Sequence, residues 1–125
     1  MLNYMFVGLG AALGGVLRYW LSNYTYKFFP ESFPYGTLIV NVTGSFILGL
    51  TMFYLYDKEL IGPQLRILLT IGFCGGFTTF SSFTYETVSL FREAQIWPGL
   101  LNIMLNLILC LIGIYLAYFI SKMLG

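Results

Sequence analysis

Four stretches of this chain are each long and apolar enough to cross a lipid bilayer, and they leave little chain for anything else. A helix spanning the hydrocarbon needs about 20 predominantly apolar residues. The stretches run from about residue 3 to 23, 35 to 56, 64 to 90 and 97 to 121. Inside hydrocarbon each backbone N–H and C=O must find its partner within the protein, so a lone apolar run becomes a helix. The expected fold is therefore an all-α integral membrane domain of four transmembrane helices over residues 1–125. Composition agrees: 58% of residues are hydrophobic and 9% are charged, against about 25% charged in soluble domains. A core of this size cannot hide so much apolar surface, and the surplus must face lipid or other subunits.

Several function classes fall away. A net charge of +1 offers no basic patch for nucleic acid. There is no histidine, which removes the commonest metal ligand and the side chain that titrates near neutrality. No Ser/His/Asp set, metal-binding cluster, carboxylate pair or phosphate-binding loop suggests an enzyme. Cys74 and Cys110 both fall in apolar runs and read as packing residues rather than a disulfide. No Lys or Arg precedes Arg18 and three further runs follow, so the first run reads as a span and not a cleaved leader.

The connectors, residues 29–34, 57–63 and 92–96, are short and rich in turn formers, which makes consecutive helices antiparallel neighbours. Tyr24, Tyr26, Tyr35, Tyr54, Tyr56 and Trp97 gather near the span ends, as in an interfacial aromatic belt. Orientation by positive charge fails. Lys58, Arg66 and Lys122 lie on one side and Arg18, Lys27 and Arg92 on the other. Three against three gives no bias, so the chain could insert both ways up, a dual topology that would allow two copies to pair as an antiparallel homodimer; the alternative is a single topology fixed by folding. Gly10 with Gly14 and Gly72 with Gly76 have GxxxG spacing, which brings helix backbones close and is compatible with assembly.

The third run is the unusual one. Gly75-Gly76 weakens the helix, and Thr78, Thr79, Ser81, Ser82 and Thr84 crowd hydroxyls behind it. A break there releases backbone groups that must be buried in protein, face water or coordinate an ion. The competing possibility is a kinked helix whose hydroxyls bond back to the preceding turn. Phe80 and Phe83 follow at i,i+3. They either pack, or aim their positive ring edges at an anion. Polar residues recur at helical spacing: Thr37, Asn41 and Ser45 on the second span, Asn102, Asn106 and Cys110 on the fourth. These are either interhelical hydrogen bonds or a track that replaces a solute's hydration shell. Apart from Arg66 at the very start of the third stretch, only Arg18 and Glu86 intrude into spans, each about one turn from an end. No carboxylate sits at mid-membrane, which weighs against proton-coupled transport.

Three segments together resemble the Fluc (CrcB-type) fluoride channel family: 14–19 (GGVLRY), 36–46 (GTLIVNVTGSF) and 72–83 (GFCGGFTTFSSF). The resemblance covers nearly the whole chain. It implies an antiparallel homodimer in the bacterial plasma or inner membrane, with two pathways that passively export cytoplasmic fluoride. It also implies a structural sodium ion at the dimer centre, held by backbone carbonyls that fall on Gly75 and Thr78 at the broken third helix. The fluoride pathway falls on Asn41, Thr79, Phe80, Ser81, Phe83 and Asn106, with Arg18 at the vestibule. Ser82 replaces a threonine usual in the family and keeps its hydroxyl. On the fourth span Asn102, Asn106 and Cys110 stand where the family commonly has a tyrosine and serines, and a thiol is a poor donor. The alternative is a small dual-topology, proton-coupled multidrug exporter. Such exporters rely on a first-span carboxylate, which residues 3–23 lack. A third possibility is a structural subunit of a larger membrane complex.

Overall fold

The computed structural model describes residues 1–125, and all of its regular elements are helices. Helix α1 is Leu2–Thr25 and α2 is Tyr35–Tyr56. Helix α3 covers residues 63–77, α4 is Phe80–Arg92 and α5 is Ile96–Leu124. Pro63–Arg92 forms one span, so four helical stretches are long and apolar enough to cross a membrane. Pro63 opens α3 at its first position, where a missing N–H costs nothing and the fixed φ suits the helix.

Two helices end on a left-handed residue that is not glycine: Glu59 (φ 57°) after α2 and Ala94 (φ 61°) after α4. In each, the next N–H reaches back across the turn, Leu60 to the Leu55 carbonyl and Gln95 to the Leu90 carbonyl, both at 2.8 Å. These 6→1 bonds define Schellman ends. The last turns of α2, Thr51–Tyr56, and the middle of α3, Leu68–Cys74, are wound as π-helix. π-Turns loosen the i→i−4 ladder. Where α2 loosens, Ser121 on α5 donates its hydroxyl to the Phe53 carbonyl at 2.5 Å.

Only 25 of the 125 residues are buried, so each helix turns most of its apolar side outward. Small residues bring the backbones together. On α1, a Cβ at Gly10 would overlap the Leu68 carbonyl oxygen, and one at Gly14 the Phe73 carbonyl oxygen. From the other side, a Cβ at Gly76 would lie 2.6 Å from the Ala11 oxygen. The two GxxxG pairs therefore face each other within one chain. The close approach they permit is used between α1 and α3, and carries no argument for dimerisation. A second seam joins α2 to α5, where Gly49 meets Ala117 and Gly113 lies over the Val42 carbonyl. Gly113, Ala117 and Ser121 form a buried stripe at four-residue spacing, a small-residue motif of the same kind.

Cations near the span ends lie over tyrosine rings: Lys27 over Tyr24, Arg66 over Tyr56 and Lys122 over Tyr118. Tyr26, just past α1, accepts the Gly36 N–H at 3.1 Å and ties the first connector to α2; burial pushes its phenol above the ordinary value.

Candidate functional site

Between α3 and α4 lie two residues with extended backbone, Thr78 (φ −88°, ψ 159°) and Thr79 (φ −150°, ψ 111°). Several polar groups freed there find partners. The Thr78 N–H and hydroxyl both donate to the Cys74 carbonyl, at 2.9 and 2.8 Å. The Gly76 carbonyl accepts from Arg18 Nε at 3.0 Å. The Thr79 N–H donates to Asn41 Oδ1 at 2.8 Å, and the Thr79 carbonyl accepts from Asn41 Nδ2 at 3.2 Å. Thr79 Oγ1 caps α4 by accepting the Ser82 N–H at 3.1 Å, the usual office of an N-cap threonine. The Thr78 carbonyl receives no hydrogen bond from the chain. Thr84 and Thr87 also bond back, to the Ser81 and Phe83 carbonyls, so the hydroxyls follow the back-bonding pattern while the backbone leaves the helix at Thr78.

Glycine lets this segment sit against α2. A Cβ at Gly44 would overlap the Thr78 methyl, so Gly44 is the seat of that side chain. Beside it runs a groove of about 450 Å³ between α2, the Thr78–Thr79 segment and α5. Its walls include Asn41 and Ser45 from α2, Thr79, Phe80 and Phe83 from the third span, and Asn106 from α5. Gly75, Thr78 and Cys110 also border it. No charged residue lines it, so its polar character comes from carboxamides, hydroxyls and backbone. The N-terminus of α4 points its first-turn N–H groups and positive dipole end toward this segment.

The two phenylalanines have unlike surroundings. Their ring centroids are 5.4 Å apart with planes inclined by 57°. Phe83 is 7% exposed and Phe80 74% exposed. One ring is packed; the other projects from the chain.

Of the residues singled out from sequence, Asn41, Thr79, Phe80, Phe83, Asn106, Gly75 and Thr78 come together at the groove. Ser81 is exposed beside it, with its hydroxyl 3.3 Å from Thr79 Oγ1. Arg18 lies on the far side of α3, holding the Gly76 carbonyl, and does not line the groove. Asn102 is fully buried, also outside the groove. The asparagines are linked: Asn41 Nδ2 donates across to Asn106 Oδ1 on α5 at 3.1 Å, and within α5 Asn106 Nδ2 donates to the Asn102 backbone and side-chain oxygens at 2.9 and 3.0 Å. Thr87 was not among the expected residues, yet it accepts from Asn102 Nδ2 at 2.9 Å. Its signal was available: Phe83 and Thr87 stand four residues apart, so they share a helix face.

Comparison with known proteins bears on the whole chain. Residues 5–118 match the family described as CrcB-like protein, Camphor Resistance (CrcB). A relative from Koribacter versatilis is 45% identical over 114 residues, covering 90% of this chain and 89% of its own. One from Geotalea uraniireducens is 41% identical over 118 residues, covering 94% and 95%. One from Sulfurihydrogenibium is 41% identical over 124 residues, covering 99% and 100%. Each of the three is named a fluoride-specific ion channel, FluC. With a family match across most of its length and relatives this similar, the chain is a multi-pass membrane protein that belongs to the CrcB-like family.

Proposed function

We propose that this protein is a fluoride channel, not an enzyme, and that it lets cytoplasmic fluoride leave the cell passively. The observation that carries the reading is the uncharged groove, where Asn41, Thr79, Phe80, Phe83 and Asn106 converge beside the N-terminus of α4. A small, strongly hydrated anion needs replacement donors and positive ring edges, but a fixed cation would hold it too tightly to release it. The relatives named as fluoride-specific channels support the choice of ion.

In this reading the Thr78–Thr79 segment is the break of the third helix, and the outward apolar faces meet lipid and an inverted second copy. Fluoride sheds water at a vestibule at the mouth of the groove. It then meets the hydroxyls of Thr79 and Ser81 and the amides of Asn41 and Asn106, and passes the edges of Phe80 and Phe83. An antiparallel pair contains two such paths. The residues present also suit a central sodium ion. The Thr78 carbonyl receives no hydrogen bond, and Gly75 is exposed. Unwound carbonyls of this kind suit an alkali cation. Gly75 and Thr78 of both copies would hold it, and its charge would add positive potential near the anion paths.

A proton-coupled exporter is not favoured. Glu86 is the only carboxylate within a span, and it does not line the groove. The deciding experiment is fluoride efflux from liposomes containing the purified protein. Fluoride flux far above chloride flux is expected. Equal fluxes, or none from a folded dimer, overturn the reading. Sodium is tested by exchanging it for N-methylglucamine on both sides, with loss of flux expected and unchanged flux counting against it.

A further inference from the structure

We propose that Thr87 and Asn102, neither of which reaches the groove, are positioning residues that hold its donors in one orientation. The inference rests on the channel reading and names residues that reading does not use.

A carboxamide can turn its oxygen and nitrogen end for end, since the two fill nearly the same space. Here that freedom is removed by the ends of a chain of hydrogen bonds. At one end is the Thr79 N–H, which can only donate, so Asn41 must present Oδ1 to it. Asn41 Nδ2 then points to Asn106 Oδ1. Asn106 Nδ2 in turn points to the two Asn102 oxygens. Asn102 Nδ2 donates to Thr87 Oγ1, and the Thr87 hydroxyl donates to the Phe83 carbonyl. A carbonyl can only accept. Both ends are thus backbone groups of fixed polarity, and every side chain between them has one permitted orientation.

The string also closes on itself. It leaves the third span at Thr79, crosses α2 and α5, and returns at Phe83, spanning the turn that carries Phe80 and Phe83. Its far half is dry: Asn102 is 0% exposed and Thr87 6% exposed. A donor lost there cannot be replaced by water, so its neighbour must find another partner. Removing the Thr87 hydroxyl releases Asn102 Nδ2 and frees its carboxamide to turn. The turn takes Oδ1 from Asn106 Nδ2 and leaves that amide, at the border of the groove, with the Asn102 backbone carbonyl alone. The consequence for an anion is altered donor placement at Asn106 and Asn41 without contact between Thr87 and the ion.

Thr87→Val keeps the shape of the side chain and removes its hydroxyl, whereas Thr87→Ser keeps the hydroxyl. Wild-type fluoride flux is measured first, and its absence is a failure of the channel reading, separate from this inference. Given wild-type flux, Thr87→Val is expected to lower fluoride flux about tenfold and to reduce the fluoride-to-chloride ratio. Thr87→Ser is expected to stay within about twofold of wild type on both. In the double variant Thr87→Val, Asn41→Ser, the loss is expected to be no worse than the larger single loss, because both changes break one string. Wild-type selectivity in Thr87→Val, failure of serine to restore it, or losses that multiply would each overturn the proposal. Should Thr87→Val not fold, side-chain amide exchange in the wild-type protein decides. Protected amide protons on Asn41, Asn102 and Asn106 support the string, and free exchange at Asn102 refutes it.

Discussion

The carboxamide of Asn41 makes two hydrogen bonds to the backbone of Thr79, accepting its N–H at 2.8 Å and donating to its carbonyl at 3.2 Å. A side chain of α2 thereby replaces the ladder that the third span gives up at that residue. Asn41 Nδ2 bonds both Thr79 and Asn106, so a passing anion must share or displace one of these bonds. Asn41 is accordingly part of the frame of the groove as well as its wall. Replacing it with alanine takes the partner from both the Thr79 N–H and carbonyl, at about 1–3 kcal/mol for a group that water does not replace. Asn41→Ala should melt several degrees lower in detergent and lose more than tenfold in fluoride flux. An unchanged melting temperature would show that the Thr79 backbone finds another partner.

Phe80 and Phe83 should separate function from stability. Phe80 is mostly exposed in the single chain and Phe83 packed. Phe80→Ile is expected to cut fluoride flux at least tenfold while the chain's own thermal stability stays within error. Phe83→Ile should reduce both, because changing the shape of a packed ring costs about 1–2 kcal/mol. Equal stability losses in the two variants would contradict the difference in packing.

The fold was legible in the sequence wherever it depends on length and hydropathy. The four spans follow from the thickness of a bilayer. Glu59 and Ala94 hold left-handed caps where a glycine would have announced the helix end. Periodicity placed Asn41 and Asn106 on their helix faces, and the structure adds that the faces meet. It could not reveal which glycines face which helix, since GxxxG spacing is the same whether the partner is another helix of the chain or another copy. Arg18 shows the limit most clearly. The family resemblance put it at a vestibule, whereas its Nε turns to a carbonyl 58 positions further along the chain. Only the tertiary fold brings those two groups together.

The glycines of α1 give a sharp internal comparison. Gly8 and Gly10 are two residues apart, and a Cβ at Gly8 would meet nothing within 4 Å, whereas at Gly10 it would overlap backbone atoms of α3. Gly8→Ala should leave the melting temperature unchanged or raise it slightly, because alanine gains about 0.5–1 kcal/mol over glycine within a helix. Gly10→Ala must push α1 from α3 and should lower it by several degrees. If both variants melt alike, the α1–α3 contact is not as close as described.

Arg18 donates Nε to the Gly76 carbonyl at 3.0 Å, next to the C-terminal end of α3, where the helix dipole favours positive charge by about 0.3–1 kcal/mol. The bond and the charge can be separated. Arg18→Leu removes both and leaves the Gly76 carbonyl without its donor. Arg18→Lys keeps the charge but not the rigid planar donor group. Thermal stability is expected to fall in the order wild type, Arg18→Lys, Arg18→Leu, with about 1–2 kcal/mol lost at the end of the series. Gly76 lies between Gly75 and Thr78, whose carbonyls are proposed to hold sodium. Arg18→Leu should therefore need more sodium than wild type to reach half of its own maximal fluoride flux. A leucine variant that melts with wild type and shows the same sodium dependence would mean that Arg18 serves neither the break nor the carbonyls beside it.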